Sequence, residues 1–195
     1  MDYSILADTY EKLEGISSKL AKTEILSELL KKTPTEYLPK LVLLVQGIVF
    51  PHFSGNELGI ATQMMMKAIS KASGFKEESI EEKFKKTGDL GLVAEEVLKS
   101  KKQTTLLKKR LTVDFVFHNL QELAFITGSG SQEKKLKLIA ELLVSAKPKE
   151  ARYIVRTVLG ELRVGTAEGI IRDAIVRAFL LKENTSKEEI LENNA

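Results

Sequence analysis

Gly160-Glu-Leu-Arg-Val-Gly-Thr-Ala-Glu-Gly169 sets three glycines and one arginine in a short loop, and the run behind it, 170–181, is striped with apolar residues at helical spacing. Glycine tolerates positive φ and lets a ligand come close to the main chain. The unpaired N–H groups of a helix start, with the positive end of the helix dipole behind them, suit an anion such as phosphate. Spacing alone makes this only a general anion-site pattern. Its weight comes from a second copy.

Gly55-Asn-Glu-Leu-Gly59 has the same Gly-x-x-x-Gly form as Gly165-Thr-Ala-Glu-Gly169, at an offset of 110. At that offset Ile60 meets Ile170, Met64 and Met65 meet Ala174 and Ile175, Ala68 and Ile69 meet Ala178 and Phe179, and Ile80 meets Ile190. Upstream, Val45-Gln-Gly47 matches Val158-Leu-Gly160 at an offset of 113, so the first loop is three residues longer than the second. Chance similarity between two amphipathic helices accounts for the stripe and leaves the paired glycines unexplained. The pattern predicts an internal pseudo-twofold duplication, with helix–glycine loop–helix halves at about 34–99 and 148–195 inside one domain, 1–195. The second copy reaches Ala195 before any counterpart of Gly88-Asp-Leu-Gly91, so the expectation is a piece of a longer protein.

Helical periodicity runs through the rest, and no stretch alternates strictly, so the expected fold class is all-α. Apolar spacing predicts helices over Tyr3–Leu13, over Ser18–Lys32 with Leu20, Ile25, Leu26, Leu29 and Leu30 inward, and from Pro34 through Ile48. Further helices are expected over Asn56–Ala72, Glu77–Lys86, Leu90–Lys99, Thr112–Ile126, Gln132–Ala146 and Lys149–Gly160. Asp89 and Ser131 are placed to cap the helices that follow them, and Gly74 and Gly88 to end those before. The methionines at 64–66 read as core filler. His118, among Phe115, Val116, Phe117 and Leu120, reads as a core or half-buried residue.

Composition narrows the chemistry. Of 195 residues, 43% are hydrophobic and 29% charged, an ordinary globular balance. No apolar run approaches the roughly 18 residues of a membrane span, and the N-terminus lacks the basic start of a secretory signal. With no cysteine, disulfides, thiolate catalysis and Cys-based metal sites are excluded, which fits a cytoplasmic chain. Two histidines, His52 and His118, give a metal site little to work with. The net charge of +3 does not mark a nucleic-acid binder, so a nucleic-acid face would need its charge segregated. Lys99, Lys101, Lys102, Lys108, Lys109 and Arg110 form one cluster and Lys134, Lys135 and Lys137 another, although a solvated face is the ordinary reading of such runs.

Three further strings belong with the opening one: Gly88-Asp-Leu-Gly-Leu-Val-Ala-Glu95, Phe125-Ile-Thr-Gly-Ser-Gly-Ser-Gln-Glu-Lys-Lys135 and Glu150-Ala-Arg-Tyr-Ile-Val-Arg156. Together with Leu159–Gly169 they resemble the N-terminal DNA-binding domain of archaeal and eukaryotic ATP-dependent DNA ligases, over most of the chain. The resemblance implies a helical pseudo-twofold module that grips nicked double-stranded DNA through the minor groove and backbone in replication and repair. It further implies closure with adenylation and oligonucleotide-binding domains of the same protein, a nucleoid-associated location, and ATP and Mg2+ as cofactors of the whole ligase, with none in this chain.

Transferred onto this sequence, the loop contacts fall on Gly160, Arg163, Gly165 and Ala167. The repeat adds Phe53, Ser54, Gly55 and Gly59 on the other side, and Thr127, Gly128, Ser129 and Ser131 read as a further phosphate-facing turn. Arg163 offers a persistent charge and a fork of donors; the competing reading is that it caps a helix or pairs with Glu161 or Glu168. Gln103-Thr-Thr-Leu-Leu107 resembles a shortened sliding-clamp motif, with Gln103 for a polar pocket and Leu106 and Leu107 for an apolar one, where the bland alternative is a helix start. None of the aspartates is followed by glycine, so the Lys-x-Asp-Gly motif of nucleotidyl transfer is absent and no catalytic residue is assigned. A second functional class stays open: a helical-repeat scaffold that binds protein partners in its apolar grooves.

Overall fold

The computed structural model describes residues 1–100 and 110–180. Among the described residues there are ten α-helices: α1 Tyr3–Glu14, α2 Lys19–Lys32, α3 Leu38–Val45, α4 Thr62–Ser73, α5 Glu77–Thr87, α6 Leu90–Lys99, α7 Val113–Phe125, α8 Ser131–Ser145, α9 Pro148–Val158 and α10 Glu168–Phe179. Among the described residues there is no strand, only the isolated antiparallel bridge between Asp2 and Thr112. The fold class is all-α, as the periodicity requires. Gln103, Leu106 and Leu107 lie outside the described residues, as do Ile190 and the C-terminal end of the expected second half.

Local chemistry explains the boundaries. Ser18 accepts a hydrogen bond from the Ala21 amide, Asp89 from Gly91 and Leu92, and Thr112 from Phe115, each satisfying an orphan donor in a first turn. Gly74 and Gly88 close α4 and α5 in the left-handed conformation. Ser131 departs from its expected role. The turn before α8 closes by a Ser131 N–H to Gly128 carbonyl bond and puts Gly130 at φ +76, so the chain is already helical at Ser131 and Gly130 holds the cap position. Leu20 is half exposed, because the inward stripe of α2 runs instead through Lys22, Leu26 and Leu29. The expected helix from Asn56 begins only at Thr62, and His118 is exposed, its ring bonded to the Asp114 carbonyl one turn back.

Packing is reciprocal between the two ends of the chain. α4 packs on α8 and α10 on α2; α1 packs on α9 and α3 on α7. Where α1 meets α7, the Tyr3 amide donates to the Leu111 carbonyl at 3.0 Å and the Val113 amide to the Met1 carbonyl at 2.9 Å. Tyr3, Tyr10 and Tyr153 are buried in the middle, with the Tyr10 hydroxyl donating to the Leu44 carbonyl at 2.6 Å.

The junction of α6 and α9 is closely packed. A Cβ at Gly91 would lie 2.7 Å from the Arg152 carbonyl oxygen and 2.7 Å from Arg156 Cγ, so only glycine allows this approach. Arg156, 3% exposed, donates to Asp89 at 2.6 Å and to Glu14 at 2.9 Å; Arg152 bridges Glu14 and Glu95. Burial alone would raise the Asp89 carboxyl, but Arg156 and the amides of Leu92 and Gly91 outweigh it and hold it below the usual carboxylate range. Glu14 is held low in the same way, burial being outweighed by Arg156, Tyr153 and Arg152.

Candidate nucleic-acid interface

Two loops interrupt this framework, 46–61 between α3 and α4 and 159–167 between α9 and α10. Both leave their helix by the same device. Gly47 at φ +78 and Gly160 at φ +70 close Schellman caps, in which Ile48 donates to Leu43 and Gly47 to Leu44, and Glu161 donates to Arg156 and Gly160 to Thr157. The two loops then touch. A Cβ on Gly47 would come within 2.9 Å of Leu162 Cβ, and the Thr166 hydroxyl donates to the Val45 carbonyl at 2.6 Å. Residues 47–52 and 55–60, with 157–160, line a cleft of about 530 Å³ between them.

Loop 159–167 alternates. Leu162 and Val164 are buried, while Glu161, Arg163 and Gly165 face outward. Arg163 takes φ +57, the only non-glycine residue at positive φ among those described. That conformation is costly for a residue with a Cβ. Its guanidinium is held by Glu161 at 2.8 Å and by Asp89 at 3.6 Å, with the Gly88 carbonyl at 3.5 Å; it does not pair with Glu168. Half of the side chain remains exposed. Ala167 is the exposed residue in the cap position of α10, and like Ala61 before α4 it supplies no side-chain cap.

Loop 46–61 is longer and built differently. Phe53 is 93% exposed at its tip, flanked by the exposed Ser54 and Gly55, the latter at φ +66. His52, beside it, is exposed. The Gln121 side chain ties the Val49 carbonyl, and Phe50 meets Phe125 edge-on at 5.8 Å. That contact sets the exposed turn Thr127-Gly-Ser129 beside this loop, while Ser131 is half-buried in the first turn of α8. The expected contact residues therefore fall into three neighbouring segments.

One register changes. Gly169, paired with Gly59 by the Gly-x-x-x-Gly spacing, lies inside α10 with no positive φ. It is Gly165, φ +64, that stands where Gly59, φ +62, stands in the other loop: each lies three residues before a helix of 12 residues, and each abuts a lysine from a distant helix. Helix register, invisible in the glycine spacing, decides this. Among the described residues, the amides of Gly59, Ile60, Gly165 and Thr166 donate to no protein acceptor. Lys135 stood in the sequence only as part of a basic cluster and Glu161 only as an alternative partner of Arg163, while the roles of Lys22 and of Asp89 beside Arg163 had no place in that reading. A signal existed for Lys22, which sits in phase with Leu26 and Leu29.

The described residues form an all-helical module that presents two adjoining loops with free main-chain donors and a half-exposed arginine. A model of the DNA ligase N terminus matches residues 2–176, and the chain belongs to that family. It is 49% identical over 177 residues to a DNA ligase of Methanothermobacter thermautotrophicus, covering 91% of this chain and 32% of that protein. It is 46% identical to DNA ligase 2 of Thermofilum pendens, over 92% of this chain and 31% of the relative, and 44% identical to a DNA ligase of Nitrosopumilus maritimus, over 99% and 32%. The chain thus spans about a third of the length of these relatives.

Proposed function

We propose that this chain is the DNA-binding domain of an ATP-dependent DNA ligase, holding nicked duplex DNA through phosphate and minor-groove contacts from loops 46–61 and 159–167. The observation that carries the reading is the pair of adjoining loops whose main-chain donors are unspent, in a member of the DNA ligase N-terminal family. Contacts of that kind fix position on a duplex without reading sequence, and they need little net charge. Arg163 supplies the charged contact and Phe53 an apolar one, suited to a groove floor or a sugar edge. Thr127–Ser129 adds a third, weaker backbone contact.

The reciprocal packing supports an internal pseudo-twofold relation between the halves. It favours larger halves than 34–99 and 148–195, since α1, α2, α7 and α8 take part in it. Nucleotidyl transfer belongs to other parts of the parent ligase, where ATP and Mg2+ act. This sequence has no Lys-x-Asp-Gly. The adenylation and oligonucleotide-binding domains, and a sliding clamp engaged through 103–107, complete the partners on this reading.

Titration with nicked, intact and single-stranded DNA at two salt concentrations tests it. The expected result is sequence-independent duplex binding that weakens steeply with salt. Absence of duplex binding at low salt overturns it in favour of a protein-binding scaffold.

A further inference from the structure

Lys22 is only 8% exposed, and its ammonium has no carboxylate partner among the described residues. Its Nζ is held instead by main-chain carbonyls of the far loop, Val164 at 2.6 Å and Gly165 at 3.3 Å. Lys135, half-buried on α8, does the same in the opposite direction, with its Nζ 2.8 Å from the Leu58 carbonyl. Each lysine reaches from a helix of one half to the loop of the other, and each ends against a glycine at positive φ. A Cβ on Gly165 would stand 2.5 Å from Lys22 Nζ, and one on Gly59 3.1 Å from Lys135 Nζ.

The peptide group turns this contact into a direction. In a trans peptide the carbonyl and the following N–H point opposite ways. Carbonyls of Val164 and Gly165 that turn in to Lys22 send the amides of Gly165 and Thr166 away from it, and the Leu58 carbonyl does so for the Gly59 amide. These are amides without a protein acceptor among the described residues. A buried ammonium is costly unless it is compensated. Here dipoles do the compensating, not a carboxylate, so a full positive charge stays beneath each row of donors. An apolar side chain at 22 would complete the stripe of α2 and provide neither effect.

We infer that Lys22 and Lys135 are the positioning residues of a two-point phosphate grip, each drawing loop carbonyls inward so that the amides of Gly165 and Thr166, or of Gly59, meet a DNA phosphate with a cation behind them. The inference rests on the duplex-binding reading above and names how its loops are held.

The test compares the wild-type chain with Lys22→Met, Lys135→Met and the control Lys134→Met, which removes the same charge one residue away on an exposed position. Affinity for a nicked duplex is measured across salt concentrations, and the Gly59 and Gly165 amides are followed by 15N NMR. Lys22→Met and Lys135→Met should each weaken binding about tenfold and lower the slope of log affinity against log salt by about one phosphate equivalent. Lys22→Met should move the Gly165 amide and leave Gly59, Lys135→Met the reverse, and Lys134→Met should move neither. Folded variants that bind with wild-type affinity and slope, or that leave both glycine amides in place, overturn the inference alone. A wild-type chain that ignores duplex at low salt overturns the duplex reading and this inference with it. If Lys22→Met does not fold, Lys135→Met on its half-buried site decides the matter by the same measurements.

Discussion

Loops 46–61 and 159–167 leave their helices by the same cap and part company after it. The shorter one lies over the ion network of α6 and α9, and its exposed arginine is held in a strained conformation by Glu161, Asp89 and the Gly88 carbonyl. The longer one has no such network. It is tied by Gln121 and Phe125 and ends in an almost fully exposed phenylalanine. One cap geometry thus carries two different side chains, one charged and pre-set, the other apolar and projecting. What the loops share is main-chain geometry; where they differ is in the side chain placed on it.

The largest expected effect lies beneath the shorter loop. Asp89→Ala leaves Arg156 buried without its closest partner and should cost roughly 3–5 kcal/mol in chemical denaturation, the range for breaking a buried pair from one side. It should also loosen Arg163, with no matching change in the longer loop. The same network sets the acid response. Asp89 and Glu14 are held below their usual range in the folded chain, so their contribution is complete above the unfolded values and is lost as pH falls through the folded ones. Unfolding free energy should drop steeply below about pH 4, where ordinary carboxylates titrate, and Asp89→Asn should flatten that drop.

The next contrast is between the two cap glycines. Gly47→Ala meets Leu162 as well as an unfavourable φ, whereas around Gly160 nothing lies within 4 Å of an added Cβ. Gly160→Ala should therefore cost about 1 kcal/mol for its backbone alone, and Gly47→Ala clearly more, read from paired thermal melts. Equal costs would mean that the loops do not lean on each other at that point.

Smaller effects separate the contacts themselves. Arg163→Ala should reduce nicked-duplex affinity about tenfold and lower the salt slope by about one, while Phe53→Ala should weaken binding severalfold without changing the slope. A salt-slope change in both would erase the distinction between a charged and an apolar loop. Least of all, Glu161→Gln frees one side of Arg163. Because that ion pair is half exposed, the gain in affinity should stay within the roughly 0.2–1 kcal/mol typical of surface pairs, at most about fivefold.

The helices were legible because the spacing that forms them also buries them: Leu26, Leu29, Leu41, Leu44, Met65 and Ile69 are all inward. Two of the resembling strings also resolve into physics. Gly88-Asp-Leu-Gly91 supplies a left-handed cap, a side-chain cap and a close approach, and Glu150–Arg156 supplies the helix that Gly91 packs against. The glycine loops were legible as loops, since positive φ at Gly47, Gly55, Gly160 and Gly165 is a local requirement. Their mutual register was not, because it depends on where α4 and α10 begin, and Ala61 and Ala167 give no capping signal. Lys22 and the contact of Arg163 with Asp89 were hidden for a similar reason. Lys22 meets a carbonyl 142 residues further on, and Asp89 reaches Arg163 from a different helix cap, separations that no local pattern encodes.

The reciprocal packing has a consequence for how the chain can be divided. The contacts of α4 with α8, α10 with α2, α3 with α7 and α1 with α9 all cross the interval between residues 100 and 110, as do the bonds from Tyr3 to Leu111 and from Val113 to Met1. A cut there severs no contact named above, yet it leaves two pieces of which neither contains the wall its own loop rests on. Made separately, each should be an unfolded half; mixed, they should reassemble by complementation, and duplex binding should return only when both are present.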